Sequence, residues 1–164
     1  EIRHEFVNGE IFAMAGGTDN HNRIGLNIAS ELRSALKGQP CEAFCADMKL
    51  KIMFANDLRG YYPDVFVACE PGVIVEVTSG STARTDRQEK RLAYLTLDSL
   101  EEYVIVEQAE MKATIYRRSS GWKPLETEGS DAVIEFQSLG ITLTFAEIYE
   151  RVDWDRDDEP PLEY

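Results

Sequence analysis

Apolar residues recur along this chain with two different periods, and the switches between them lay out its elements. Phe6-Val7-Asn8-Gly9-Glu10-Ile11-Phe12 alternates around an Asn-Gly pair and predicts a β-hairpin with a type I′ turn. Gly16-Gly17 breaks the alternation, and Thr18 or Asp19 can cap a helix. Ile24, Ile28, Leu32 and Ala35/Leu36 then form a stripe at helical spacing, which predicts a helix to about 37–38, stopped before Pro40. Short strands are expected over 41–44 and 48–54, with a turn over 56–60. Two apolar strands follow, over 61–69 and 73–79, joined tightly enough by Glu70-Pro71-Gly72 to pair antiparallel. A helix over 83–97 leads to a central strand over 100–108. A hairpin over 112–117 and 121–125, strands over 133–136 and 141–145, and a short helix over 145–151 complete the pattern.

This order predicts an α+β fold with an α/β-like core: a mixed β-sheet flanked by two main helices, with N-terminal and C-terminal β-hairpins. With 164 residues and 43% hydrophobic content, residues 1–152 are expected to form a single domain. Residues 153–164 are expected to be a loose acidic tail. No apolar run reaches the roughly 20 residues of a membrane helix, so no membrane partner is expected. The opening Glu1-Ile2-Arg3-His4 has neither methionine nor a secretory leader pattern, and suggests a stretch starting inside a longer protein. Cys41, Cys45 and Cys69 are an odd number without framework spacing, so reduced core thiols and a cytoplasmic location are expected.

Two acids stand out against this pattern. Asp64 follows Pro63 in the strand-like run Tyr62-Pro63-Asp64-Val65, and Glu76 interrupts Val73-Ile74-Val75-Glu76-Val77. A carboxylate in a β-branched apolar strand is costly unless it is paired or holds a metal. Mg²⁺ takes oxygen ligands, often one or two carboxylates. Asp64, Glu76 and the carbonyl of Val77 could supply them. Lys90 shares a helical stripe with Ala93, Tyr94 and Leu97, which aims it at the sheet, with Asp86 one turn earlier. Simpler readings stand beside these. Asp64 can make local bonds at a strand start, Glu76 can pair with Lys49, Lys51 or Arg87, and Lys90 can be a solvated helix charge. His21, Glu31 and Glu10 are candidate site-lining residues, against a core histidine, a helix-flank charge and a surface hairpin acid.

Net charge changes the picture. At −13 overall the chain does not look like a DNA-binding protein. The imbalance is uneven: 153–164 holds six acids against Arg156, a net of −5, whereas 84–91 is basic with Arg84, Arg87, Lys90 and Arg91 against Asp86 and Glu89. Ser79-Gly80-Ser81-Thr82 before a helix is a weak phosphate cradle without a Walker pattern. Asp153-Trp154-Asp155-Arg156-Asp157 lacks the glycine and terminal glutamate of a calcium loop.

Taken in order, several stretches resemble the Uma-type family of restriction endonucleases, a branch of the PD-(D/E)XK nuclease superfamily. They are 3–11, Met14-Ala15-Gly16-Gly17, His21-Asn22, Tyr62-Pro63-Asp64-Val65, Val75-Glu76-Val77-Thr78-Ser79, Ser81-Thr82, Asp86, Lys90, Tyr94, Glu101-Glu102-Tyr103 and Gly140-Ile141. The resemblance implies a restriction-endonuclease-like core, Mg²⁺- or Mn²⁺-dependent hydrolysis of DNA phosphodiesters, and a homodimer. It also implies Asp64 and Glu76 as metal ligands and Lys90 as the lysine that orients water or stabilises the transition state. The superfamily usually writes its second acid and lysine as Glu-X-Lys on one strand, whereas Thr78 occupies that place here. The Glu70-Pro71-Gly72 connection is also short for the family. The rival expectation is a catalytically inactive nuclease-fold module that binds a protein partner or regulates mobile elements.

Overall fold

The computed structural model describes residues 4–7, 10–13, 17–70, 72–78 and 83–156; for 5–7, 10–13, 83–87 and 156 only the backbone is described. β1 (His4–Val7) and β2 (Glu10–Ala13) pair antiparallel with Phe6 opposite Ile11. The Asn8-Gly9 turn expected between them lies outside the described residues. α1 (Asp19–Ala35) is capped by Thr18, whose side chain accepts the N–H of His21. Its Ile24, Ile28 and Leu32 are fully buried, as helical spacing predicts, and Leu36 just past its end is nearly so.

The expected turn over 56–60 is instead a strand. β4 (Leu50–Phe54) and β5 (Asp57–Tyr61) form a hairpin closed by Ala55 and Asn56, both at positive φ (51° and 70°). Two consecutive left-handed residues make the turn that matches strand twist. β5 then pairs with β1, giving a four-stranded sheet in the order β2-β1-β5-β4. The expected strand over 61–69 is therefore split. Tyr62-Pro63-Asp64 carries the chain from β5 into β6 (Val65–Ala68), which belongs to a different sheet. Proline removes a ladder donor at this point, so pairing stops there.

The larger sheet has six strands in the order β10-β9-β8-β7-β6-β3. They are β3 (Glu42–Cys45), β6, β7 (Gly72–Thr78), β8 (Leu100–Glu107), β9 (Lys112–Arg117) and β10 (Pro124–Glu128). Only β7 and β8 run parallel, because α2 (Ala83–Tyr94) crosses between them. α1 covers one face, where Ile24, Ile28 and Leu32 meet Val65, Val67, Val73, Val75, Val104 and Val106. The other face packs Ile74 and Ile105 against Tyr94 of α2 and Ile52 and Tyr61 of the smaller sheet. β7 is buried along its whole length, which is why it reads as a continuous apolar run. The hairpin β11 (Val133–Phe136) and β12 (Ile141–Thr144) joins the α1 side, followed by α3 (Phe145–Ile148), shorter than the expected 145–151.

The α+β expectation, a mixed sheet between two main helices with terminal hairpins, matches this architecture. The cysteines do not follow expectation. Cys41 and Cys69 flank the β3–β6 ladder one step beyond Glu42↔Ala68, and they are bonded to each other with Cα atoms 4.9 Å apart. Directly opposed residues bring their Cβ atoms close enough for this. Cys45 is free and exposed. Of the acidic tail, Asp153 is tied to α1 by Asn20, which donates to its carbonyl at 2.7 Å and accepts its N–H at 3.1 Å. Residues 157–164 lie outside the described residues. No helix among the described residues is long and apolar enough to cross a membrane.

Candidate active site

β6 and β7 run antiparallel with Val65 opposite Val75. The paired register ends there; extended by one step it would set Asp64 across from Glu76. Asp64 sits where β6 has not yet begun, and its side chain takes the next N–H that β7 offers: Val77 donates to Asp64 Oδ2 at 2.8 Å. His21, in the first turn of α1, brings Nε2 to 3.4 Å from the same Oδ2. Both contacts fall on one oxygen.

The His21 ring is positioned by what is missing beside it. A Cβ on Gly17 would lie 2.8 Å from His21 Nδ1 and 3.2 Å from Cγ, so only glycine lets the ring rest there. Burial opposes protonation of this ring, and the Lys90 charge opposes it too. The hydrogen bond and charge of Asp64, together with a hydrogen bond to the Val77 backbone, outweigh both, so the His21 pKa is raised above 6.5.

Glu76 is 9% exposed in the centre of the sheet. Tyr94, fully buried at the end of α2, donates its hydroxyl to Glu76 Oε1 at 2.7 Å. Tyr94 is held edge-on to Tyr61 and tilted against Tyr103, each at 5.6 Å between ring centroids. Lys90, one turn earlier on the same helix face, is half-buried with Nζ 5.8 Å from the Tyr61 centroid. Its charge lowers the His21 pKa, the smallest of the effects on that ring.

Thr78 is directed at β8, where it donates its hydroxyl to Glu107, its partner in the parallel register. The next residue, Gln108, is buried and accepts the hydroxyl of the α1 cap Thr18 at 3.2 Å. Glu107, Gln108 and Thr18 were not among the sequence candidates. The available signal was the polar pair Glu107-Gln108 ending the apolar run Val104-Ile105-Val106 at the carboxyl end of a central strand, where open α/β sheets place ligands.

Glu31 is half-buried on α1, ten residues and about 15 Å of helical rise beyond His21. Glu10 opens β2 opposite Val7, and Asp86 lies in α2 four residues before Lys90; their side chains lie outside the description. The Ser79-Gly80-Ser81-Thr82 loop also lies outside the described residues. Lys51 is exposed and Lys49 lies against Tyr62, so neither is the partner of Glu76 that the sequence allowed. Among the described residues, no three His, Cys, Asp or Glu side chains gather closely enough to hold a metal ion. The donor set the sequence singles out is smaller and all oxygen: the Asp64 and Glu76 carboxylates with the Val77 carbonyl. That set suits a hard divalent ion of the Mg²⁺ type.

A six-stranded mixed sheet with one main helix on each face is a restriction-endonuclease-like core. The chain belongs to the Uma2 family, described as "Putative restriction endonuclease", which matches residues 1–146. Two relatives come from Synechocystis sp. (strain PCC 6803). The uncharacterized protein slr1290 is 30% identical over 161 residues, covering 90% of this chain and 83% of the relative. The uncharacterized protein sll1609 is 32% identical over 155 residues, covering 85% and 86%. The fold is shared with the crystal structure of "a putative nuclease belonging to DUF820" from Anabaena variabilis. The TM-score is 0.71 at 18% identity, with 89% of each chain covered.

Proposed function

We propose that this chain is a DNA endonuclease that hydrolyses phosphodiester bonds with Mg²⁺ or Mn²⁺, working as a homodimer. The family and the nuclease-named structural neighbour support nuclease chemistry in general. The observation that carries the finer reading is that Asp64, just ahead of β6, and Glu76, within the neighbouring β7, are each oriented by a protein donor: Val77 N–H on one, Tyr94 O–H on the other. Oriented carboxylates at a strand end are prepared for a ligand, because their rotation has already been fixed.

Asp64, Glu76 and the Val77 carbonyl would hold the ion, which when bound polarises water and neutralises charge on the scissile phosphate. Lys90 supplies an ammonium that can donate to the attacking water or to the phosphoryl oxygens as charge builds on them. His21 keeps the Asp64 carboxylate in one orientation. Plasmid DNA incubated with Mg²⁺ or Mn²⁺ should be cut by the native chain and not by Glu76→Ala. Equal cutting by both would remove the assignment.

One observation favours the rival reading, a catalytically inactive module that binds a protein partner. Thr78 fills the usual lysine position and is committed to Glu107, on a chain of net charge −13. Calorimetric titration with Mn²⁺ separates the two. Micromolar binding that disappears in Asp64→Ala supports the nuclease, and no binding supports the inactive module.

A further inference from the structure

The outer face of the smaller sheet leads directly into the Asp64 loop. The β4–β5 register sets Leu50 opposite Tyr61, Lys51 opposite Gly60 and Met53 opposite Leu58. Continued by one step, it sets Lys49 opposite Tyr62. Opposed residues share a face, so Lys49, Lys51, Met53, Leu58, Gly60 and Tyr62 lie on one side. The other side, with Ile52, Arg59 and Tyr61, is buried against α2 and the larger sheet. The outer six include two cations and no acid. They also expose apolar surface, with Met53 at 63% and Leu58 at 47% exposure.

Lys49 is laid along this face in a built arrangement. Its stem crosses Gly60, where an added Cβ would come within 3.3 Å of Lys49 Cδ. Its ammonium then rests 5.0 Å from the centre of the half-buried Tyr62 ring. Tyr62 is two residues before Asp64, so this held charge stands at the entrance to the site. Lys51 continues the line outward, two residues along the same strand face. On a chain this acidic, two lysines aligned on one strand face beside the acid pair match a polyanion approaching that pair, even with the exposed acid Asp47 two residues before Lys49.

We infer that the outer face of β4 and β5 is the DNA-binding surface of this protein, with Lys49 and Lys51 contacting successive phosphates of a duplex whose backbone runs into the Asp64–Glu76 site. This rests on the nuclease reading above. Lys49 supplies the nearer phosphate contact, with Tyr62 beneath it. Met53 and Leu58 offer apolar contact to sugars further along.

The test uses the full chain carrying Glu76→Gln, so that the duplex survives, with a fluorescein-labelled DNA duplex and Mg²⁺. Anisotropy gives the affinity as a function of KCl. Each phosphate contact contributes about 0.9 to the slope of log K against log salt. In this background, Lys49→Gln with Lys51→Gln should make the slope shallower by about two and weaken binding roughly tenfold at about 100 mM KCl. Lys49→Arg with Lys51→Arg should keep the slope. Lys37→Gln should also keep it, since Lys37 lies past Ala35, the far end of α1, which is about 21 Å of helical rise from His21. An unchanged slope in the double glutamine variant overturns the surface, and the nuclease reading then stands on plasmid cutting by the native chain. If the parent shows no salt-dependent binding to the duplex, DNA falls as the substrate and the surface falls with it.

Discussion

Gly17→Ala isolates the contact between α1 and the acid pair. Gly17 is not in the left-handed region, so its backbone accepts alanine. The strain would fall on the His21 ring, since the new methyl would sit 2.8 Å from Nδ1. The α1 cap holds the His21 backbone through Thr18, so the ring must turn instead of the helix shifting. His21 Nε2 is already 3.4 Å from Asp64 Oδ2, and a few tenths of an ångström ends the hydrogen bond. A hydrogen bond to a charged group is worth about 1.5–3 kcal/mol net, and this long one belongs at the low end. Its loss corresponds to roughly tenfold weaker Mn²⁺ binding through a less constrained Asp64. Stability below the His21 pKa should fall by only about 0.5–1 kcal/mol, because replacing glycine by alanine restricts the unfolded chain and offsets about 0.4–1 kcal/mol. The clearest assay is NMR titration of the His21 imidazole in metal-free buffer, with His4 as the second histidine signal. Asp64 holds the His21 pKa above 6.5, so removing the contact should lower the titration midpoint. The sign for stability follows. A raised histidine pKa gives stabilisation that is complete below 6.5 and lost as pH rises through the folded-state value. The gap in melting temperature between native and Gly17→Ala proteins should therefore shrink as pH rises across that window. An imidazole titration identical in both proteins would refute the argument that Gly17 positions the ring.

Tyr94→Phe deletes the hydroxyl on Glu76 Oε1 and leaves the aromatic packing, so calorimetric Mn²⁺ affinity should fall about 10–100-fold. Unaltered affinity would mean that the phenol does not orient the carboxylate. At the opposite end of β8, Glu102→Ala leaves the buried Arg117 guanidinium, 3.0 Å from that carboxylate, without its counter-charge. Urea unfolding should show a loss of about 3–5 kcal/mol, while a loss below about 1 kcal/mol would place the pair among surface-like bridges.

What the sequence displayed and what it concealed divide along a physical line. The α1 stripe and the apolar run of β7 were legible because each buries a regular set of apolar side chains, at period 3.6 on one face and on both faces of the strand. β5 was concealed because Asp57, Arg59 and Gly60 have turn composition. Its burial depends on partners far away in sequence. Arg59 is 5% exposed because Glu89 of α2 pairs with it and the Phe54 ring lies beneath its guanidinium at 4.6 Å. The acids of the site were legible for the converse reason, since each is a charge placed where local pattern demands an apolar residue. Their partners were not. Val77 N–H is a backbone group, and Gly17 acts by the absence of an atom. Glu107 becomes significant only through the parallel register that α2 creates.

On the nuclease reading proposed above, the same register accounts for the lysine lying on a helix instead of on β7. Position 78 is aligned with Glu107, and its threonine hydroxyl is donated to that carboxylate. A lysine there would meet an acid directly across the ladder and spend its charge on a structural pair. α2 offers a different route. Tyr94 fixes the rotation of the helix against β7, because its hydroxyl must reach Glu76 while its ring packs between Tyr61 and Tyr103. Once that rotation is fixed, the residue four positions earlier lies on the same face by helix geometry alone. That residue is Lys90, resting over Tyr61 and acting electrostatically on His21. One tyrosine thereby sets both the orientation of Glu76 and the approach of the ammonium, which is why Lys90 and Tyr94 have to be read as a pair.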